Sequence, residues 1–121
     1  DINIDKSMIE MVFGKVVAFA KQQGVAIPDY LMPNEWNEPQ TQSYEQFREY
    51  LYDLYASIPE GVTETYLHPA KESDDLKGTS SVWERRVWEY RVMCDPATKQ
   101  HIEAHGIKLI NYRDLAAMRK A

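Results

Sequence analysis

His68 and Pro69 close the run GVTETYLHPA, residues 61–70, whose threonines, valine, tyrosine and leucine favour an extended strand. An imidazole at a strand end can move a proton near neutrality, because its unperturbed pKa of about 6.5 lets both forms coexist. It can equally ligate a metal or satisfy a hydrogen bond at a sheet end. With a period of two, Val62, Glu64, Tyr66 and His68 share one face, and Thr63, Thr65 and Leu67 share the other. The side chains capable of chemistry therefore lie on one side. Glu64 sits roughly 13 Å down the strand from His68, too far to orient the imidazole, and reads as the carboxylate of a buried ion pair.

The other candidates carry less. His101 and His105 stand four apart on an expected helix, a spacing that can chelate a metal, but the metalloprotease pattern requires Glu directly after the first histidine and Ile102 is there. His105 directly precedes Gly106, where an imidazole suits a helix C-terminus. Glu72, Asp74 and Asp75 form an acidic cluster without calcium-loop spacing and read as a solvated loop. Arg85 and Arg86 lie beside Trp83 and Trp88, a composition that fits an amphipathic surface or an interface anchor. Cys94 has no base near it in sequence and reads as an inert buried thiol.

The elements that must position these residues follow from periodicity. Ser7 and Glu10 form a capping box before a helix whose stripe is Ile9, Val12, Phe13, Val16, Val17 and Ala20, with Gly24 as its stop. The segment VAIPD then reads as a very short strand or turn. Residues 30–42, with two prolines and many polar residues, read as a long surface loop. Ser43 caps a second helix carrying Tyr44, Phe47, Leu51, Leu54 and Ile58 on its core face. After the strand to His68, residues 69–80 read as a polar loop. Ser81 and Glu84 open a third helix, and Asp95-Pro96 supplies a cap and a first-turn proline for a fourth, which Gly106 ends. IKLI, residues 107–110, reads as a short strand, and a last helix begins near Asn111. The fold class is α/β, with few parallel strands and flanking helices. So few strands cannot close a sheet, which makes the chain a portion of a larger one.

Composition bounds the rest. The 121 residues amount to about one domain, a single unit over 1–121. A net charge of −5 with 14 scattered basic residues argues against nucleic acid and anionic membranes. No apolar run approaches the roughly 20 residues of a membrane-spanning helix. The single cysteine excludes an internal disulfide and fits a reducing cytoplasm. The chain opens on Asp1 rather than Met, so a processed product or an excised piece is expected.

The ordered set of KQQGVAIPD, Glu64-x-x-x-His68-Pro69, Arg86-x-x-Glu89, Asp95-Pro96 and Gly106-Ile107-x-Leu109-Ile110 before Tyr112-Arg113-Asp114-Leu115 resembles the C-terminal half of the YdjC-like carbohydrate deacetylases. The resemblance implies the C-terminal portion of a distorted (β/α) barrel, and a metal-dependent hydrolysis of N-acetyl groups on amino-sugar oligosaccharides. A divalent metal, Mg or Zn, would be held by one Asp and two His of an N-terminal half absent here, so no metal ligands fall in this chain. His68 matches a histidine at the end of a late strand and is implied as the general acid that protonates the departing amine. Glu64, Pro69, Arg86 and Glu89 are implied as supporting residues. Two features depart from the family pattern: Ala70 follows His-Pro where Gly is more frequent, and the acidic metal motif is missing.

The full-length parent is thus expected to be an enzyme and the isolated chain inactive. A non-catalytic sugar-binding or protein-interaction module on a half-barrel scaffold is the alternative. Unpaired strand edges lead us to expect a homo-oligomer. After dialysis, elemental analysis should find no stoichiometric zinc on the His101/His105 pair; one zinc per chain, lost in His101→Ala, would overturn the structural reading of that pair.

Overall fold

The computed structural model describes residues 6–34 and 42–120, with the side chains of residues 6–10 and 12 outside that set. The capping box at Ser7 and Glu10 and residues 35–41 of the expected loop therefore lie outside the described residues. Two compact units partition the chain, one of residues 1–28 and 110–121, the other Asp29–Leu109.

The first unit holds α1 (Lys6–Gln22) and α6 (Tyr112–Lys120). Among the described side chains of the α1 stripe, Phe13 is 63% exposed and Val16 and Val17 are exposed as well. The helix closes through the amides of Gly24 and Val25, which donate to the carbonyls of Lys21 and Ala20, with Gly24 at φ 72°. This paired closure needs a left-handed residue, which glycine supplies without steric cost. It also consumes the Val25 amide, so VAIPD forms no strand. At the other end, Asn111 accepts from the amides of Arg113 and Asp114, and Asp114 accepts in return from the Asn111 amide. That reciprocal box starts α6 as expected.

The second unit carries the sheet. Its strands, β1 (Tyr30–Pro33) and β2 (Thr63–Tyr66), pair in parallel, with Tyr30 opposite Thr63 and Pro33 opposite Tyr66. Residues 30–33 are thus strand rather than loop. The register is set at its start. The Asp29 carboxylate accepts from the Val62 amide at 2.9 Å, while the Asp29 and Tyr30 amides both donate to the Val62 carbonyl. Gly61 makes this approach possible: it has φ +123°, and a Cβ there would lie 3.1 Å from the same Asp29 carboxylate oxygen.

Three helices pack together on one side of this pair, beside the C-terminal end of β2. The stripe of α2 (Tyr44–Ala56) is capped by Ser43, whose hydroxyl accepts from the Gln46 amide, and it buries Tyr44, Phe47, Leu51 and Tyr55. These pack with Val92 of α4 (Trp83–Cys94) and Ile102 of α5 (Pro96–Ala104), and Leu67, Trp88 and Ile107 pack against the cluster. Asp95 caps α5 through the Ala97 amide, with Pro96 in its first turn. Residues 107–110 form no strand, because the Ile107 amide donates back to Ile102 in the same closure that ends α1.

Three further expectations are corrected. Residues 69–80 are not wholly loop: Ser73 caps α3 (Asp74–Thr79), whose first turn places Asp74 and Asp75 where negative charge favours a helix start. Ser81 does not open α4; Val82 occupies the cap position without a side-chain bond, and the Ser80 hydroxyl accepts from the Val82 amide. Cys94, expected to be buried, is exposed at the end of α4. Among the described residues no helix is long and apolar enough to cross a membrane.

Leu51, fully buried in the middle of α2, tests whether this helical layer governs stability. Leu51→Ala should cost about 2–5 kcal/mol, read as a lower urea midpoint with an unchanged slope.

Candidate functional site

Leu67 packs against the helical core, so the face of β2 that carries Thr63 and Thr65 is the helix side. Glu64, Tyr66 and His68 look the other way. Because residues paired across a parallel ladder share a face, Leu31 and Pro33 join them, with Leu31 62% exposed and Tyr66 45% exposed. The Tyr66 and His68 rings stand 5.8 Å apart and nearly perpendicular, an edge-to-face pair that places the exposed imidazole on this open side. Glu64 is half-buried on the same face.

The backbone beneath His68 is held from the helix side by Glu89, on the second turn of α4. Glu89 is 0% exposed. One of its carboxylate oxygens accepts from the His68 amide at 2.7 Å, and the other accepts from the Asn34 side-chain nitrogen at 3.0 Å. Asn34 directly follows β1, and continuing the register sets it beside Leu67, on the helix side. A single carboxylate thus joins the C-terminal ends of both strands. One turn earlier on α4, the Arg86 carbonyl accepts from the Ala70 amide at 3.0 Å. Pro69 lies between these two anchored amides and, having no N–H of its own, leaves no donor unmet.

Of the residues implied as supporting, Glu89 and Arg86 bond the His68–Ala70 segment, Pro69 lies within it, and Glu64 sits further back along β2. Glu89 acts through its side chain. Arg86 contributes its backbone carbonyl, while its Nε is buried without a hydrogen-bond partner. Asn34 was missed from sequence, hidden in what read as loop; the signal was the apolar run YLM before Pro33-Asn34, which is strand composition closed by a polar residue. Its Oδ1 is also buried without a hydrogen-bond partner, as are the hydroxyl oxygens of Thr63 and Thr65.

His101 on α5 and His105 at its C-cap are both engaged within the protein. His101 stacks on Tyr52 at 4.2 Å and bonds the Tyr52 carbonyl through Nε2 at 3.0 Å, while His105 bonds the His101 carbonyl through Nδ1 at 2.8 Å. Among the described residues no three of His, Cys, Asp and Glu converge to hold a metal.

The Glu89 charge is felt by Tyr55. Burial first, then the Glu89 carboxylate, push the Tyr55 phenol up to about 12 from its ordinary 10.0. Between those values the unfolded chain releases the proton and the folded chain keeps it. The stabilising difference is intact below pH 10.0 and is lost as pH rises through about 12. Tyr55→Phe should remove this contribution, on the order of 2 kcal/mol, so that urea midpoints fall less steeply over that window than in the unaltered chain.

A family profile described as YdjC-like protein matches residues 4–104. A carbohydrate deacetylase of Thermoanaerobacter pseudethanolicus (strain ATCC 33223 / 39E) is 35% identical over 65 residues, 54% of this chain and 26% of that protein. The crystal structure of a protein from Enterococcus faecalis V583, described as a cellobiose-phosphate cleavage protein, superposes with a TM-score of 0.57 at 24% identity. That superposition covers 86% of this chain and 47% of the other, and it shows likeness of fold. The chain thus matches about half or less of the length of each of these relatives. With the profile extending across both strands and on through α5, the chain belongs to the YdjC-like family.

Proposed function

We propose that this chain supplies the proton-donating side of a carbohydrate N-deacetylase site, with His68 as the general acid. The observation that carries the reading is the placement of His68: its imidazole is exposed at the C-terminal end of β2, on the face away from the helices, over a backbone fixed by Glu89. In sheets of parallel strands, ligands gather at the carboxyl ends of the strands. Parallel pairing with helices on one face supports a barrel wall, whose interior would be the Leu31, Glu64, Tyr66 and His68 side. The exposed Tyr66 ring beside the imidazole suits the apolar face of a sugar.

Amide hydrolysis adds water across the acetamide carbon, breaks the C–N bond and leaves an amine that must take up a proton. His68 as imidazolium delivers that proton to the nitrogen, a base outside this chain takes up the proton lost by the attacking water, and acetate departs. The substrate class is an N-acetylated amino-sugar oligosaccharide, in keeping with the description of the Thermoanaerobacter relative. Any divalent metal, Mg or Zn, would activate the attacking water from ligands outside this chain, and no step assigned to these residues depends on it.

In the whole protein His68→Ala should lower kcat by about 10²–10⁴-fold, with KM little changed and one limb of the pH–rate profile gone. Steady-state kinetics on N-acetylated oligosaccharides across pH tests this. Near wild-type kcat would return His68 to a plain hydrogen-bonding role at a strand end.

A further inference from the structure

We infer that Glu89 is a positioning residue for the proton transfer by His68, acting through the His68 amide and through Asn34; this rests on His68 being the acid. Packing alone does not explain a carboxylate here. Residue 89 lies at a core position of α4, between Trp88 and the fully buried Val92, where an apolar side chain would pack without the desolvation penalty of a buried charge. What the carboxylate provides is two acceptors, one for the His68 amide at the end of β2 and one for the Asn34 side chain that follows β1. Its bonds to the His68 amide and to Asn34 fix the backbone at the point where the imidazole branches off and tie it to the neighbouring strand. The Ala70 amide, bonded to the Arg86 carbonyl, fixes the chain two residues later. With both sides held, only the side-chain torsions of His68 remain, and the Tyr66 ring at 5.8 Å restricts those from the open face.

Misplacing a catalytic group by about 1 Å can cost roughly 10²-fold. In the whole protein, Glu89→Gln keeps the shape and one acceptor but offers a donor at the other position. It should lower kcat by about 10–100-fold with KM little changed, and should speed hydrogen exchange at the His68 amide. The deciding measurement is a double-mutant cycle. If Glu89 acts through His68, Glu89→Gln causes no further loss of kcat in the His68→Ala background. Equal losses in both backgrounds would overturn the inference, since they would mean that Glu89 acts elsewhere. Unchanged kcat in Glu89→Gln with a full loss in His68→Ala would overturn it and leave His68 as the acid. Full activity in His68→Ala would remove the underlying reading and the inference with it. Should Glu89→Gln fail to fold, Asn34→Ala withdraws one donor from the same carboxylate and must show a smaller loss with the same non-additivity; equal losses of kcat with and without His68 would overturn the inference.

Discussion

A buried carboxylate that accepts from two separate strand ends ties together almost everything that matters in the second unit. Glu89 has no exposure to water, so its charge is tolerable only where hydrogen-bond donors meet it. The His68 amide and the Asn34 carboxamide do so. Each donor reaches it only if its strand ends at the correct level, and α4 presents the carboxylate only if it sits beside those strand ends. Strand register, helix position and the attitude of the His-Pro segment are thus one condition rather than three.

That condition is prepared at the opposite end of the sheet. Asp29 engages Val62 through both its side chain and its backbone, and Gly61 permits the approach. A slip of one residue would turn Asn34 to the open face and Leu67 out of the core. Leu67 packs with the α2 cluster of Phe47, Leu51 and Tyr55, so apolar burial and the polar link select the same register. Above α4, Arg91 lies over the Tyr44 ring at 3.7 Å and Trp88 meets Phe47 at 6.1 Å, which holds that helix against α2.

What the sequence discloses and what it conceals divide along physical lines. Signals that act within a few residues are legible: the Ser43 and Asp95 caps, the apolar stripe of α2, the Asn111 start and the glycine stops at 24 and 106. So is the strand leading to His68, with Glu64 and the histidine on one face. Features that depend on distant partners are not. YLMP contains a proline and makes a strand only because β2 lies beside it. VAI and IKLI have strand composition but begin on amides already spent in helix closure. The link from Asn34 to Glu89 spans 55 positions, and no local pattern announces it. The family resemblance singled out Glu89 without indicating which groups it would hold.

The departure at position 70 has a further meaning. Among the described residues no non-glycine residue adopts a positive φ, so Ala70 fits its backbone without strain. With the His68 amide bonded to Glu89, the Ala70 amide bonded to the Arg86 carbonyl and Pro69 lacking an N–H, residues 68–70 have no N–H to offer a neighbouring chain. An incoming strand could pair alongside Thr63–Tyr66 and reach Leu67, but would find no donor on the three residues beyond it. The segment that presents the imidazole is also a built-in terminator of edge-to-edge aggregation.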